Sequence, residues 1–197
     1  MKQIIITVLC AFATLCGYAQ EKSGHLLFKG VPIDGTVNSF VQKMKQKGFT
    51  TVANDGQTAM MKGTFAGYKN CDLHILRTTE KDMVYRVGVF FEPDKTWEFL
   101  ALKYFSLKQM LTKKYGKPSY CVEEFNDTYQ PKDDWWKMHF VEQDKCNYGT
   151  DYETDEGTIT LKIVHAKADY EHFCSVMLVY NDKKNNLAEK ESASDDL

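Results

Sequence analysis

The sequence predicts an α+β fold. Two tandem units, residues 26–94 and 95–182, each read as a helix followed by a four-stranded antiparallel meander, with the helices packed on one face of the sheets. Three observations predict it. Trp97, Leu100, Tyr104, Leu107 and Leu111 recur at three- and four-residue spacing and so share one helical face. Runs of alternating apolar and polar residues flank that helix on both sides, separated by short Gly, Asn and Asp turns, as in antiparallel meanders. Finally, Phe40-Val-Gln-Lys-Met-Lys-Gln-Lys-Gly48 resembles Leu107-Lys-Gln-Met-Leu-Thr-Lys-Lys-Tyr-Gly116, and each ends on lysines and a glycine before entering a strand.

Residues 1–19 read as a signal peptide. Met1-Lys2-Gln3 is a short basic start, an apolar run follows over 4–16, and Gly17 and Ala19 place small residues at the cleavage site, after Ala19. The run is too short to span a bilayer, and Leu15 is bulkier than the residue that normally precedes a lipidated cysteine such as Cys16. The expected location is periplasmic or secreted, with no membrane span.

Gly30, Pro32 and Gly35 mark a turn region over 28–36, after which Val37, Phe40, Val41 and Met44 form a helical stripe that lysines 43, 45 and 47 and Gly48 close. Strands follow over 49–53, 58–66, 71–78 and 83–92, the last with Met83, Tyr85, Val87, Val89 and Phe91 on one face. Pro93-Asp94 opens the central helix, Glu98 lies near its positive end and Lys113 and Lys114 in its last turn, and Gly116 and Pro118 end it. The second unit continues with strands over 119–125, 135–141, 157–166 and 173–180. A polar turn over 126–134 and a long polar loop over 144–156 interrupt them. Residues 183–197 lack periodicity and read as a disordered acidic tail.

The chain has 25 Lys+Arg and 27 Asp+Glu, a net charge of −2, which the loss of Lys2 with the leader changes by one unit. Neither sign dominates, so composition argues against a nucleic-acid surface. An apolar content of 43% is enough for a substantial core. Beyond the leader stand Cys71, Cys121, Cys146 and Cys174, an even number that suits disulfides in an exported chain, with buried reduced thiols as the other reading. A hairpin turning near Gln130 puts Cys121 and Cys146 at the same end of the sheet, so these two are the expected disulfide.

Catalytic and metal motifs are absent: no nucleophile elbow, no His-Glu-x-x-His, no phosphate-binding glycine loop, and nothing that calls for a cofactor. Cys174 lies two residues from His172, but no orienting or oxyanion group accompanies them. His74, His139 and His165 fall in expected strands whose phases separate them, so no metal site is expected. Asp151, Glu153, Asp155 and Glu156 lack the spacing of a calcium loop, and Asp133 and Asp134 point opposite ways if on a strand. The informative cluster is Trp135, Lys137 and His139, which alternation puts on the free face of the second sheet with Thr158, Thr160 and Lys162. Asp72, His74 and Arg86 take the equivalent face in the first. The competing reading covers Trp135 with a loop or with the other unit.

The order of elements over residues 28–182 resembles the β-lactamase-inhibitor-protein-like architecture, which implies free sheet faces able to bind a partner and carries over no site residue. The text of Phe28-Lys-Gly-Val-Pro-Ile-Asp-Gly35 and Leu111-Thr-Lys-Lys-Tyr-Gly-Lys-Pro118 is similar to uncharacterised exported proteins of Bacteroides-type bacteria, a resemblance that implies a periplasmic or secreted home and no activity. The expectation is therefore a non-enzymatic binding module that recognises a protein or envelope component through Trp135, Lys137, His139, Lys162, His74 and Arg86. A small-molecule carrier with a pocket between the units is the alternative, and a hydrolase using Cys174 with His172, or carboxylates such as Asp133, comes third.

Overall fold

The computed structural model describes residues 24–126, 129–168 and 171–195, so the expected leader and its cleavage point lie outside the described residues. Two helices form where periodicity places them. In α1 (Val37–Gln46) the Thr36 side chain accepts from Ser39 N–H, satisfying one of the free amides of the first turn, and Val37, Phe40, Val41 and Met44 are buried. In α2 (Trp97–Tyr115) Thr96 caps the start, the five stripe residues are buried, and Gly116 adopts φ +87°, a left-handed conformation that costs glycine little.

A small hairpin, β1 (Leu27–Phe28) with β2 (Val31–Pro32), precedes α1. All other strands join one antiparallel sheet of eight: β3 (Thr50–Asn54), β4 (Thr58–Phe65), β5 (Tyr68–Arg77), β6 (Val84–Phe90), β7 (Tyr120–Phe125), β8 (Cys146–Thr154), β9 (Gly157–Ala168) and β10 (Glu171–Asp182). Their spatial order is β3-β4-β5-β6-β10-β9-β8-β7. The chain thus lays down one four-stranded meander after α1 and another after α2, and β6 and β10 pair antiparallel between them, with Gly88 opposite Val179.

The helices cover one face. Met61, Leu73, Ile75, Val87, Val89, Ile159, Leu161, Val176 and Leu178 point into the core, where burying each aliphatic side chain contributes about 1.5–3 kcal/mol before ordering costs. Polar atoms that enter this layer are paired. Tyr104 OH meets Thr150 Oγ1 at 2.6 Å, and Tyr152 OH donates to Lys108 O at 3.0 Å.

Four expectations need correction. Residues 135–141 are not a strand: Asp133 accepts from Trp136 N–H and starts α3 (Asp134–Glu142), which buries Phe140 and Val141 on a helical period. The expected polar loop over 144–156 is largely strand β8, whose Tyr148, Thr150 and Tyr152 alternate toward α2. The expected tail begins as α4 (Lys183–Asp195), because buried Asp182 accepts from Asn185 N–H at 2.9 Å and Asn185 Nδ2 donates to Val84 O and Ile33 O. Its last residues, 196–197, lie outside the described residues. Fourth, Cys121 and Cys146 form no disulfide. Cys121 stands opposite Thr150 and Cys146 opposite Phe125, so they sit at opposite ends of the β7–β8 ladder, about 13 Å apart at strand rise. Cys71, Cys121, Cys146 and Cys174 are all free.

Candidate functional site: the open face of the sheet

Side chains of the opposite parity to the core form the second face of the sheet, and none of them belongs to the buried core. Register arranges them in rows across the strands. One row runs Met60, His74, Gly88, Val179, Thr160, Asp151, Tyr120. The next runs Lys62, Asp72, Phe90, Met177, Lys162, Gly149, Val122, and on the other side run Thr58, Leu76, Arg86, Asn181, Thr158, Glu153. Because β6 and β10 pair, Asp72, His74 and Arg86 share one continuous surface with Thr158, Thr160 and Lys162. Most of these side chains are half-buried, as expected where neighbours on a pleat shade one another and no described helix lies above.

Several of them are held in place. Arg86 Nε donates to Asn181 Oδ1 at 2.6 Å, and its guanidinium lies 5.3 Å from the Tyr85 ring centroid. His74 packs on Phe90 with ring centroids 4.8 Å apart. Burial pushes the His74 imidazole below its usual range, against the opposing pull of Asp72, so it is neutral at pH 7. Lys62 lies 3.5 Å from Asp72. At the β3 end, Ala53, Asn54, Asp55, Thr58, Met60, His74 and Leu76 line a depression of 470 Å³. The Asp55 carboxyl is held below the usual carboxylate range by turn amides of Thr58 and Gln57, so its rim is anionic.

The six expected binding residues divide into two groups. His74, Arg86 and Lys162 lie on the open sheet face. Trp135, Lys137 and His139 do not, because their segment is helix α3, packed with α2 on the other side of the sheet. Trp135 is 66% exposed and stacks on His139 at 5.4 Å, while Lys137 Nζ lies 5.8 Å from the Trp97 ring centroid. A single surface cannot contain both groups. Sequence reasoning missed Leu76, Phe90, Met177 and Val179, which give the sheet face its apolar centre; their alternation with core residues was the available signal.

The chemistry weighed for the cysteines and histidines takes a different form here. His172 Nδ1 lies 2.8 Å from His165 Nε2, and His165 Nδ1 lies 3.3 Å from Asp144, so the His172 ring stacks on His165. Burial, together with Glu142, pushes the Cys174 thiol up to about 11, which leaves almost no thiolate at pH 7. His74, His139 and His165 lie on the open face, on α3 and on the core face respectively. Among the described residues no cluster of three His, Cys, Asp or Glu is placed to hold a metal ion. No described helix is long and apolar enough to cross a membrane. No protein-family model, curated protein or solved structure matches the chain.

Proposed function

We propose that this chain is an exported, non-enzymatic binding module that engages a protein or envelope component through the open face of its sheet. One observation carries the reading: a sheet face eight strands wide, over which no described helix packs, places Leu76, Phe90, Met177 and Val179 beside Arg86 and Lys162. An apolar centre with basic and polar neighbours is the composition of a recognition surface rather than of ordinary solvated sheet. The basic–apolar leader over residues 1–19 supports export to the periplasm or beyond. The succession of α1 with β3–β6 and α2 with β7–β10 supports a tandem organisation of the β-lactamase-inhibitor-protein-like kind, with α3 inserted in the second unit.

A pull-down from envelope and secreted fractions tests the reading, with proteins identified by mass spectrometry. Wild type, an Arg86→Glu/Lys162→Glu variant and a Trp135→Ala/Lys137→Ala variant serve as baits. A partner held by wild type and the α3 variant, and weakened on the order of tenfold by the sheet variant, is the expected result. Retention by the sheet variant and loss from the α3 variant would move the site to the helical side. The second reading, a small-molecule carrier, draws on the 470 Å³ depression beside His74; a native mass exceeding the sequence mass by a constant amount would favour it.

A further inference from the structure

Helix α2 is apolar on two faces. Trp97, Leu100, Tyr104, Leu107 and Leu111 fill the core, yet Phe99, Leu102, Phe105 and Met110 stand 59, 65, 45 and 48% exposed on the far side of the same helix. With Ser106, Gln109 and Lys113 they form a stripe that runs from the first turn to the last. Phe105 rests edge-on near Tyr148 on one flank. Lys103, tied to Asp94 at 2.6 Å and to the Glu92 carbonyl oxygen, closes the other. A solvated helix keeps polar residues on its outer side, so four large apolar side chains there mark a face that is covered in use. No described segment covers it. Within residues 20–197 the stretches outside the described ones are 20–23, 127–128, 169–170 and 196–197, each too short to span three turns of helix.

Charge at the two ends of the stripe points to what covers it. Around the start of α2 lie Glu92, Asp94 and Glu98, against Lys95 and Lys103. Around its end lie Lys113, Lys114 and Lys117, with no acidic residue from 109 to 122. Glu98 and Lys113 sit at opposite ends of the stripe itself, and among the described residues neither makes an ion pair. A face that is negative at one end and positive at the other complements its own reverse.

We propose that a second copy of the chain covers this face, the two α2 helices lying antiparallel about a twofold axis near Ser106. Every contact is then made twice. Phe99 meets Met110 of the second copy, an aromatic–sulfur pair, and Glu98 meets Lys113 of the second copy. The small Ser106 lets the two backbones approach at the axis. One helix per copy provides less than the roughly 800 Å² per partner of a standard interface, so the dimer is weak, with a Kd on the order of 10 μM. Dilute chain is monomeric with its stripe open, and concentrated chain pairs. Pairing neither uses nor blocks the open sheet faces, which point outward once the helical layers meet, so it stands whether or not those faces bind a partner.

Sedimentation velocity of the purified chain without residues 1–19, from about 1 to about 200 μM, tests the pairing. A shift from monomer to dimer, and no further, is the expected result. Leu102→Glu, at the most exposed of the four positions, should weaken the dimer on the order of a hundredfold. Glu98→Lys and Lys113→Glu should each weaken it on the order of tenfold, and less at high salt. Mixing these two charge variants should restore association, because each copy then meets an opposite charge at both ends, whereas neither variant recovers alone. Thermal melts establish that all three variants are folded. A chain that stays monomeric at the highest concentration overturns the dimer and leaves the stripe to another partner. A dimer that Leu102→Glu leaves intact overturns its placement, and charge variants that mixing does not rescue overturn the antiparallel pairing.

Discussion

At the scale of single residues, burial decides reactivity. Cys121 is exposed on the edge strand, whereas Cys71 and Cys174 are buried and Cys146 half-buried, its thiol pushed up to about 12. Labelling the folded chain with a thiol reagent near pH 7 should modify Cys121 within minutes and the other three only after unfolding, read by peptide mass spectrometry. Fast labelling of Cys174 would reopen a nucleophilic role for it. His74 gives a pH signature. Its folded pKa lies below 6.5, so between the two values the unfolded state binds more protons and stability rises with pH. That stability is lost as pH falls below about 6.5, the unfolded value. Melts across this window should show a dependence that His74→Gln lessens, and an imidazole titration by NMR should place His74 below an exposed histidine. The disulfide expectation failed at this scale too, because sequence order cannot tell which strand β7 pairs with, and one wrong partner moved Cys146 the full length of the ladder.

At the scale of elements, legibility follows period and length. The α2 stripe from Trp97 to Leu111 spans four turns and admits no strand reading, so it could be placed residue by residue. The α3 segment is nine residues long, and Trp136, Met138 and Phe140 satisfy a two-residue period as readily as Phe140 and Val141 satisfy a helical one. The Asp133 cap was the deciding cue. Asp133→Ala should therefore cost about 1 kcal/mol in a denaturant melt, with helical signal lost in proportion. An unchanged midpoint would mean that packing of Phe140 alone holds the helix. Strand β8 was hidden for a different reason: Thr150 and Tyr152 are core residues whose hydroxyls find partners on α2, and for Thr150 also Cys121 on β7, so local polarity suggested a loop where tertiary contacts make a strand. Asp182 likewise turns an acidic, aperiodic end into a helix start. It accepts from Leu26 N–H at 2.8 Å and Asn185 N–H at 2.9 Å, and the first of these partners lies 156 residues away.

At the scale of the whole molecule, the α+β class, the one-sided helical layer and the antiparallel sheet were all visible in alternation and turn residues. The joining of β6 to β10 was not, since it pairs residues such as Phe90 and Met177 that are far apart in the chain. That pairing makes one wide surface from two modest ones, uniting His74, Arg86 and Lys162 and excluding Trp135, Lys137 and His139. Strand parity placed His74, Arg86 and Lys162 on the open face, the last of them expected beside Trp135, Lys137 and His139, which the single misassigned segment carries to the helical side. The helical side retains exposed apolar residues of its own, among them Phe99, Leu102 and Met110 on α2 and Trp135 on α3, so the choice of face is open to direct contradiction.

Hydroxyl-radical footprinting of the chain, alone and with its captured partner, tests that choice most directly, because oxidisable side chains mark both sides of the sheet. Protection of Met60, Phe90 and Met177 with Met110, Phe99 and Trp135 still oxidised is the predicted result. Protection of Met110, Phe99 and Trp135 with Met177 oxidised as before would contradict the account and place the interface on the helices.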